Sequence, residues 1–322
     1  MDAADEPAGA RLAWSDDVGQ ADWIGPRLVP FGSGVVTSVV PGGFPAYARI
    51  LHPAEDPDTG DRLVRWEAVS AWSGMPLRGD SQFHSVALPP VRPASPAPWS
   101  GQGPQRGTMY PPDAEVLAEL LRAWTTTPDR CWFCLWDGYG WIAVRDGPRV
   151  RLPARDYLLY RGPVEAAVAA VGLAGHQQTA NLWWPEDREW CVATEIDLSW
   201  TYVGGEAGLI ERLVSNDRIE ALPAGPQDHV GGVEDWVARW AAQATTDLLA
   251  AGAALITTSR GIIRVWLTRP AGRGSGMLRT QSEGDNGVSG SGSRRLHGRS
   301  EQELREEVRS SLAWEIVGLV ER

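Results

Sequence analysis

The sequence predicts an α+β fold: a mixed or antiparallel sheet with flanking helices in a main domain, then a small C-terminal unit of α-β-β-α type. Three observations carry this. Short apolar stretches bounded by Gly, Pro, Asn and Asp recur without the regular strand–helix alternation of a parallel sheet. Amphipathic helical stripes are few and scattered. With 322 residues, 43% apolar and 22% charged, the chain has material for a sizeable core and is neither disordered nor fibrous.

Taken in order, residues 1–22 are polar and are expected to be poorly ordered. Gly34–Val40 and Ala46–His52 read as strands, and 53–62 as an acidic, turn-rich loop. Eight prolines between Leu88 and Pro112 predict an irregular crossover. Asp113 can cap a helix whose stripe is Val116, Leu117, Leu120, Leu121 and Trp124, ending before Pro128. Arg130–Asp137 is apolar on both faces, as in an interior strand, and a DGYG turn leads to Trp141–Arg145. Asp156–Arg161 and Trp190–Asp197 are further strands. A short helix starts at Gly162-Pro163, and another carries Leu209, Ile210, Leu213 and Val214.

A boundary is expected in PAGPQDHVGG (223–232), which divides a main tryptophan-rich, acidic domain (23–228) from a small α+β domain (229–322). The latter opens with an amphipathic helix through Trp236, Trp240 and Leu248. A hairpin follows at Ala253–Ser259 and Gly261–Thr268, then a Gly/Ser/Arg-rich loop at 272–300, then a helix capped at Ser300 with Glu303 three residues on.

Four strings carry a resemblance: FPAYARILHPA (44–54), TTPDRCWFCLWDGYG (126–140), LPARDYLLYRGP (152–163) and NLWWPEDREWCVATEIDLSWTYVGG (181–205). Over about residues 44–225 the chain resembles a family of uncharacterised, tryptophan-rich bacterial proteins of high-GC genomes. No activity is established for that family, so the resemblance transfers no functional residue. It implies a bacterial, cytoplasmic origin and a boundary near 225.

Composition excludes several chemistries. All 30 basic residues are Arg; a lysine-free chain holds no Walker lysine, Schiff-base lysine or kinase strand lysine. The N-terminal segment lacks the basic and apolar regions of an export signal, and no apolar run approaches the ~20 residues of a spanning helix, so a cytoplasmic protein without membrane contact is expected. The net charge of −11 is uneven: residues 1–229 carry −12, whereas 260–299 carries eight Arg against two acids.

Candidate sites follow. Glu195 and Asp197 fall on one side of the predicted strand WCVATEID, roughly 7 Å apart by strand rise, a spacing that suits shared ligation or divided acid and base roles. His176 is the first candidate for a third group. Arg161 precedes a helix start, where an anion can sit, and Trp183 and Trp184, in a polar context, can present stacking faces. Arg264, Arg273, Arg294 and Arg295 are candidate anion contacts. Cys131 and Cys134 form C-x-x-C within a strand, where i and i+3 face opposite ways, so they read as buried structural cysteines. No metal-ligand spacing or dinucleotide fingerprint stands out, and no cofactor is expected.

These residues lead first to a non-catalytic binding or interaction protein with an aromatic and acidic cleft built from Arg161, Trp183, Trp184, Glu195 and Asp197, taking a small molecule or a protein. The second reading is a carboxylate- or metal-assisted hydrolase centred on Glu195 and Asp197. The third is nucleic-acid association through the 260–299 arginines, whose affinity would fall steeply with salt.

Overall fold

A computed structural model of the chain describes residues 12–56, 63–87, 95–100, 103–142, 146–153, 155–168, 178–230, 245–246, 248–258, 261–268, 276–284, 289–296 and 308. Its elements, in chain order, are β1 (Ala13–Ser15), β2 (Ala46–Leu51), β3 (Ala54–Glu55), β4 (Leu63–Val64), α1 (Trp66–Ser73), α2 (Phe83–Ala87), α3 (Pro111–Arg122), β5 (Cys131–Trp136), β6 (Val150–Arg151) and β7 (Asp156–Gly162). After these come β8 (Leu182–Pro185), β9 (Cys191–Ala193), β10 (Trp200–Gly205), α4 (Ala207–Val214), β11 (Ala221–Ala224), β12 (Ala253–Thr258), β13 (Gly261–Thr268), β14 (Gly276–Gly284) and β15 (Ser289–Leu296). Among the described residues no helix is long and apolar enough to cross a membrane.

Two compact units result. One comprises Met1–Trp66, Arg78–Asp80 and Trp99–Val230; the other comprises Glu67–Leu77, Ser81–Pro98 and Gly231–Arg322. The chain passes from the first unit to the second between Val230 and Gly231, inside the Gly/Pro-rich 223–232 segment, and two earlier stretches also belong to the second unit.

The first unit is built on one sheet, in the order β1-β7-β5-β8-β9-β10-β2-β11 with β6 beside β7. All its pairings are antiparallel. The fold is therefore α+β. One face of the sheet carries Ala48, Ile50, Phe133, Leu135, Leu158, Tyr160, Trp183, Val192 and Val203. Against it pack Val116, Leu117 and Leu121 of α3, Leu209, Ile210 and Leu213 of α4, and Val164, Ala166 and Ala167 of a 3-10 turn. Helix stripes spaced three and four residues apart meet a strand period of two, and the shared core is continuous. The other face is buried too: Arg49, Leu51, Cys134, Trp184, Cys191 and Tyr202 are all closed off from solvent. Trp23 covers part of it, edge-on to Trp184 at 6.1 Å and to Phe44 at 6.3 Å. Burial on both faces explains why β5 reads as an unbroken apolar run.

Several local expectations change. Residues 13–15, expected within a poorly ordered segment, form β1 and pair with Leu159–Arg161 of β7. Gly34–Val40 is not a strand. Gly34 takes φ +61, and Val36–Ser38 is a 3-10 turn whose Val36 and Thr37 N–H groups donate to the Asp228 and Pro226 carbonyls. Long-range hydrogen bonding overrides local β-propensity there. Helix α3 begins at Pro111, so Asp113 lies in the first turn; it is buried and gripped at both carboxylate oxygens by Arg65, at 2.7 and 2.8 Å. The strand predicted over 190–197 ends at Ala193. Of the predicted Trp141–Arg145 strand, 141–142 is turn and 143–145 lies outside the described residues.

In the second unit, β12-β13-β14-β15 form an antiparallel meander. The Gly/Ser/Arg-rich stretch expected to be loop supplies two of its strands: Ser289–Ser293 pair with Arg279–Glu283. A full cross-strand ladder outweighs the weak β-propensity of glycine and serine.

Below the sheet's β2 end, His52 is fully enclosed. Its Nδ1–H donates to the Gln105 carbonyl at 2.9 Å, so Nε2 is the acceptor, taking the Thr201 hydroxyl at 2.9 Å; Thr194 in turn donates to Thr201 at 2.7 Å. Burial pushes this imidazole down to about 4. The unfolded chain takes up a proton near pH 6.5 that the fold refuses until about pH 4, so stability is lost as pH falls through that window. Urea denaturation at pH 7 and pH 4.5 is expected to differ by about 2–3 kcal/mol from this residue. His52→Gln is expected to flatten that component.

Candidate functional site

The two acids singled out from sequence do come together, through a partner that sequence reading missed. Arg155 stands just ahead of β7, in a tight turn where Leu152 and Arg155 exchange backbone hydrogen bonds of 3.0 and 3.3 Å. Its Nη2 donates to Glu195 at 2.9 Å and to Asp197 at 3.0 Å. The guanidinium also lies 5.6 Å from the Phe31 ring and 5.7 Å from the Trp136 ring, within cation–π range of both. Glu195 is buried at 8% exposure, whereas Asp197 is 70% exposed. One cation thus holds an inner and an outer carboxylate.

The turn carrying these acids is fixed from behind. Leu198 N–H donates to the Glu195 carbonyl at 3.0 Å, closing a β-turn. Asn181, just ahead of β8, donates to the Thr194 carbonyl at 3.1 Å and to the Tyr139 hydroxyl at 3.0 Å, and accepts from Trp136 N–H at 2.9 Å. Gly107 accepts from Gln178 at 2.7 Å and from Tyr139 at 3.1 Å. A satisfied buried network of this kind makes the site rigid.

Over Glu195 and Arg155 lies a small cleft of about 30 Å³. Its walls are mainly apolar: Leu28, Val29, Val39, Leu152 and Leu182, with Phe31 at the rim. Phe31 is 41% exposed, one of two large apolar side chains so exposed among the described residues. Burial raises the Glu195 carboxyl above its ordinary value, and the Arg155 charge opposes that rise. Removing the guanidinium leaves the burial unopposed. Arg155→Met is therefore expected to cost about 3 kcal/mol at pH 7 and less at pH 4, because an acid whose carboxyl is raised by burial sheds that penalty as it takes up its proton. Urea titrations at the two pH values check this; an equal loss at both would contradict it.

Trp183, Trp184 and Arg161 do not line this cleft. Trp183 and Trp184 are buried, at 3% and 1% exposure, on opposite faces of β8. Trp183 stacks on Phe133 at 5.9 Å and Trp184 meets Trp23, so neither offers a face to a ligand. Their polar sequence context hid a strand in which adjacent indoles enter the two cores. Arg161 is exposed near the far end of β7, roughly 20 Å from Arg155 by strand rise. His176 and Arg273 lie outside the described residues. Arg264 lies opposite Gln281 in the meander, and Arg294 and Arg295 opposite Leu278 and Met277, all within strands and not in a loop.

Cys131 and Cys134 are buried, with Cys131 in the helix-facing core and Cys134 on the opposite side of β5. Burial raises both thiols, Cys131 to about 12. Neither is a thiolate at neutral pH. Among the described residues no group of three or more His, Cys, Asp or Glu side chains is gathered to hold a metal ion. No family model, no curated protein and no solved structure matches the chain.

Proposed function

We propose that the protein is a non-catalytic interaction protein whose first unit docks a partner's segment at the Phe31–Arg155–Glu195 cleft. The observation that carries this is Phe31, an exposed aromatic ring beside a guanidinium that is already fixed by two carboxylates. An aromatic anchor on a preorganised polar base is the composition of a binding hot spot. The mainly apolar walls of the cleft suit a small aliphatic group.

Charge specifies the flank. Arg155, Glu195 and Asp197 sum to −1 on a chain of net charge −11. The fitting partner presents an aliphatic side chain next to a Lys or Arg that reaches the exposed Asp197. The same contacts argue against a hydrolytic carboxylate pair, because both acids share one guanidinium instead of occupying separate environments. Three buried free cysteines suit a reducing, cytoplasmic compartment.

Selection of displayed random peptides on the full chain tests this. Enriched peptides are expected to share an aliphatic residue beside a basic one, and to lose binding at least tenfold to Phe31→Asp. Peptides that bind Phe31→Asp as well as the parent, or none enriched over an unrelated acidic protein, would overturn it.

A further inference from the structure

A second polar feature lies inside the same unit, away from the cleft. Strand β2 reads AYARIL, and its single charged residue, Arg49, is 1% exposed. The guanidinium carbon sits 3.9 Å over the Trp200 ring and 5.5 Å from the Trp66 ring, and these two indoles meet edge to face at 6.4 Å. Burial pulls Arg49 down to about 10, so it remains a cation at neutral pH. Nη1 donates to the Gly79 carbonyl at 2.7 Å. Nε and Nη2 are buried with no acceptor. Among the described residues no carboxylate lies within ion-pair distance of it.

The two unmet nitrogens are not an arbitrary pair. Nε–H and Nη2–H point in parallel from one edge of the guanidinium plane, the edge a carboxylate grips with both oxygens. Nη1, on the other side, is the nitrogen already used. A buried cation stacked on indoles, with one complete bidentate edge empty, is costly as it stands and is completed by a planar anion.

We propose that the Nε–Nη2 edge of Arg49 is an internal receptor for a carboxylate, admitted when the turn at 78–80 lifts. Arg78, Gly79 and Asp80 are all exposed, and this turn holds Arg49 through the Gly79 carbonyl and the longer-range attraction of the Asp80 charge. The walls set the ligand class. Trp66 and Trp200 crowd the guanidinium, which suits a flat anion and disfavours the out-of-plane oxygens of phosphate or sulfate.

The test uses the full chain, with sodium formate as the probe against sodium chloride at equal ionic strength. A sealed Nε–H exchanges slowly with water, so the Arg49 Nε–H signal is observable by ¹H–¹⁵N spectroscopy at neutral pH. It is expected to move downfield saturably with formate and stay put with chloride, while the thermal midpoint rises with formate alone. Arg49→Lys assigns the signal and is expected to abolish the rise. If that variant fails to fold, Trp200→Phe assigns it by removing the indole ring current. A signal unmoved by formate, a midpoint indifferent to the anion, or phosphate acting as strongly as formate would overturn the proposal.

Discussion

Trp190→Ala is expected to lower the stability of the first unit by about 4 kcal/mol, within the usual cost of truncating a buried tryptophan. Trp190 is fully buried immediately before β9, edge-on to Trp183 at 5.3 Å, within the core beneath α3 and α4. Truncation leaves a void that the surroundings fill only in part. Gly205 already packs so closely that a Cβ there would stand 3.4 Å from the Trp190 Cβ, and the neighbouring strand is locked by its ladder. At about 2–4 °C per kcal/mol for a unit of this size, the thermal midpoint is expected to fall by roughly 8–16 °C. Trp190→Phe is expected to lose about half as much, because its ring still fills part of the site. Calorimetry of the three proteins checks the order. A small change for alanine would mean that the tryptophan pairing contributes little to the core.

Gly107→Ala comes second, at about 3 kcal/mol. Gly107 holds φ +73, where a side chain is strained, and a Cβ there would lie 2.7 Å from the Ile196 carbonyl oxygen and 2.9 Å from its Cα. Both obstacles are backbone and cannot rotate away. Relief requires moving Ile196, which lies between Glu195 and Asp197. The substitution is therefore expected to disturb the cleft as well as the fold, weakening selected peptides more than Trp190→Ala does at temperatures where both remain folded. Denaturant titration gives the first effect and peptide titration the second. Unchanged peptide affinity would show that the acids are not positioned through Gly107.

Much of the fold is legible in the sequence where a single element explains its own pattern. The stripe Val116, Leu117, Leu121 placed α3 and its inward side, and the two-faced apolar run 131–136 marked β5 as an interior strand. The alternation rule also put Cys131 and Cys134 on opposite faces. Elements held by distant partners are hidden. Strand β1 exists because β7 offers an edge, Val36–Ser38 turns because the chain near 226–228 supplies acceptors, and β15 forms from Gly and Ser because β14 is beside it.

The candidate site divides the same way. The acids Glu195 and Asp197 stand out as a pair in one string, but the Arg155 that joins them is 40 and 42 residues away in the chain. Phe31 gives no local signal at all. Trp183-Trp184 misled because polar neighbours outweighed a short strand reading; two adjacent indoles on alternating faces were a signal for burial on both sides. Arg49, a lone charge in the apolar run AYARIL, was equally visible. A charge at the centre of an interior strand points either to an error of assignment or to a special site.

Photocrosslinking in the cells that make the protein tests the central claim most directly. With p-benzoylphenylalanine in place of Phe31, irradiation is expected to yield one discrete adduct with a partner protein. That adduct should disappear when Asp197 is changed to Arg and be absent when the photoprobe instead replaces Arg151, an exposed residue of β6. Adducts equal in pattern and yield at positions 31 and 151, or no adduct at 31, would contradict an interaction site at this cleft.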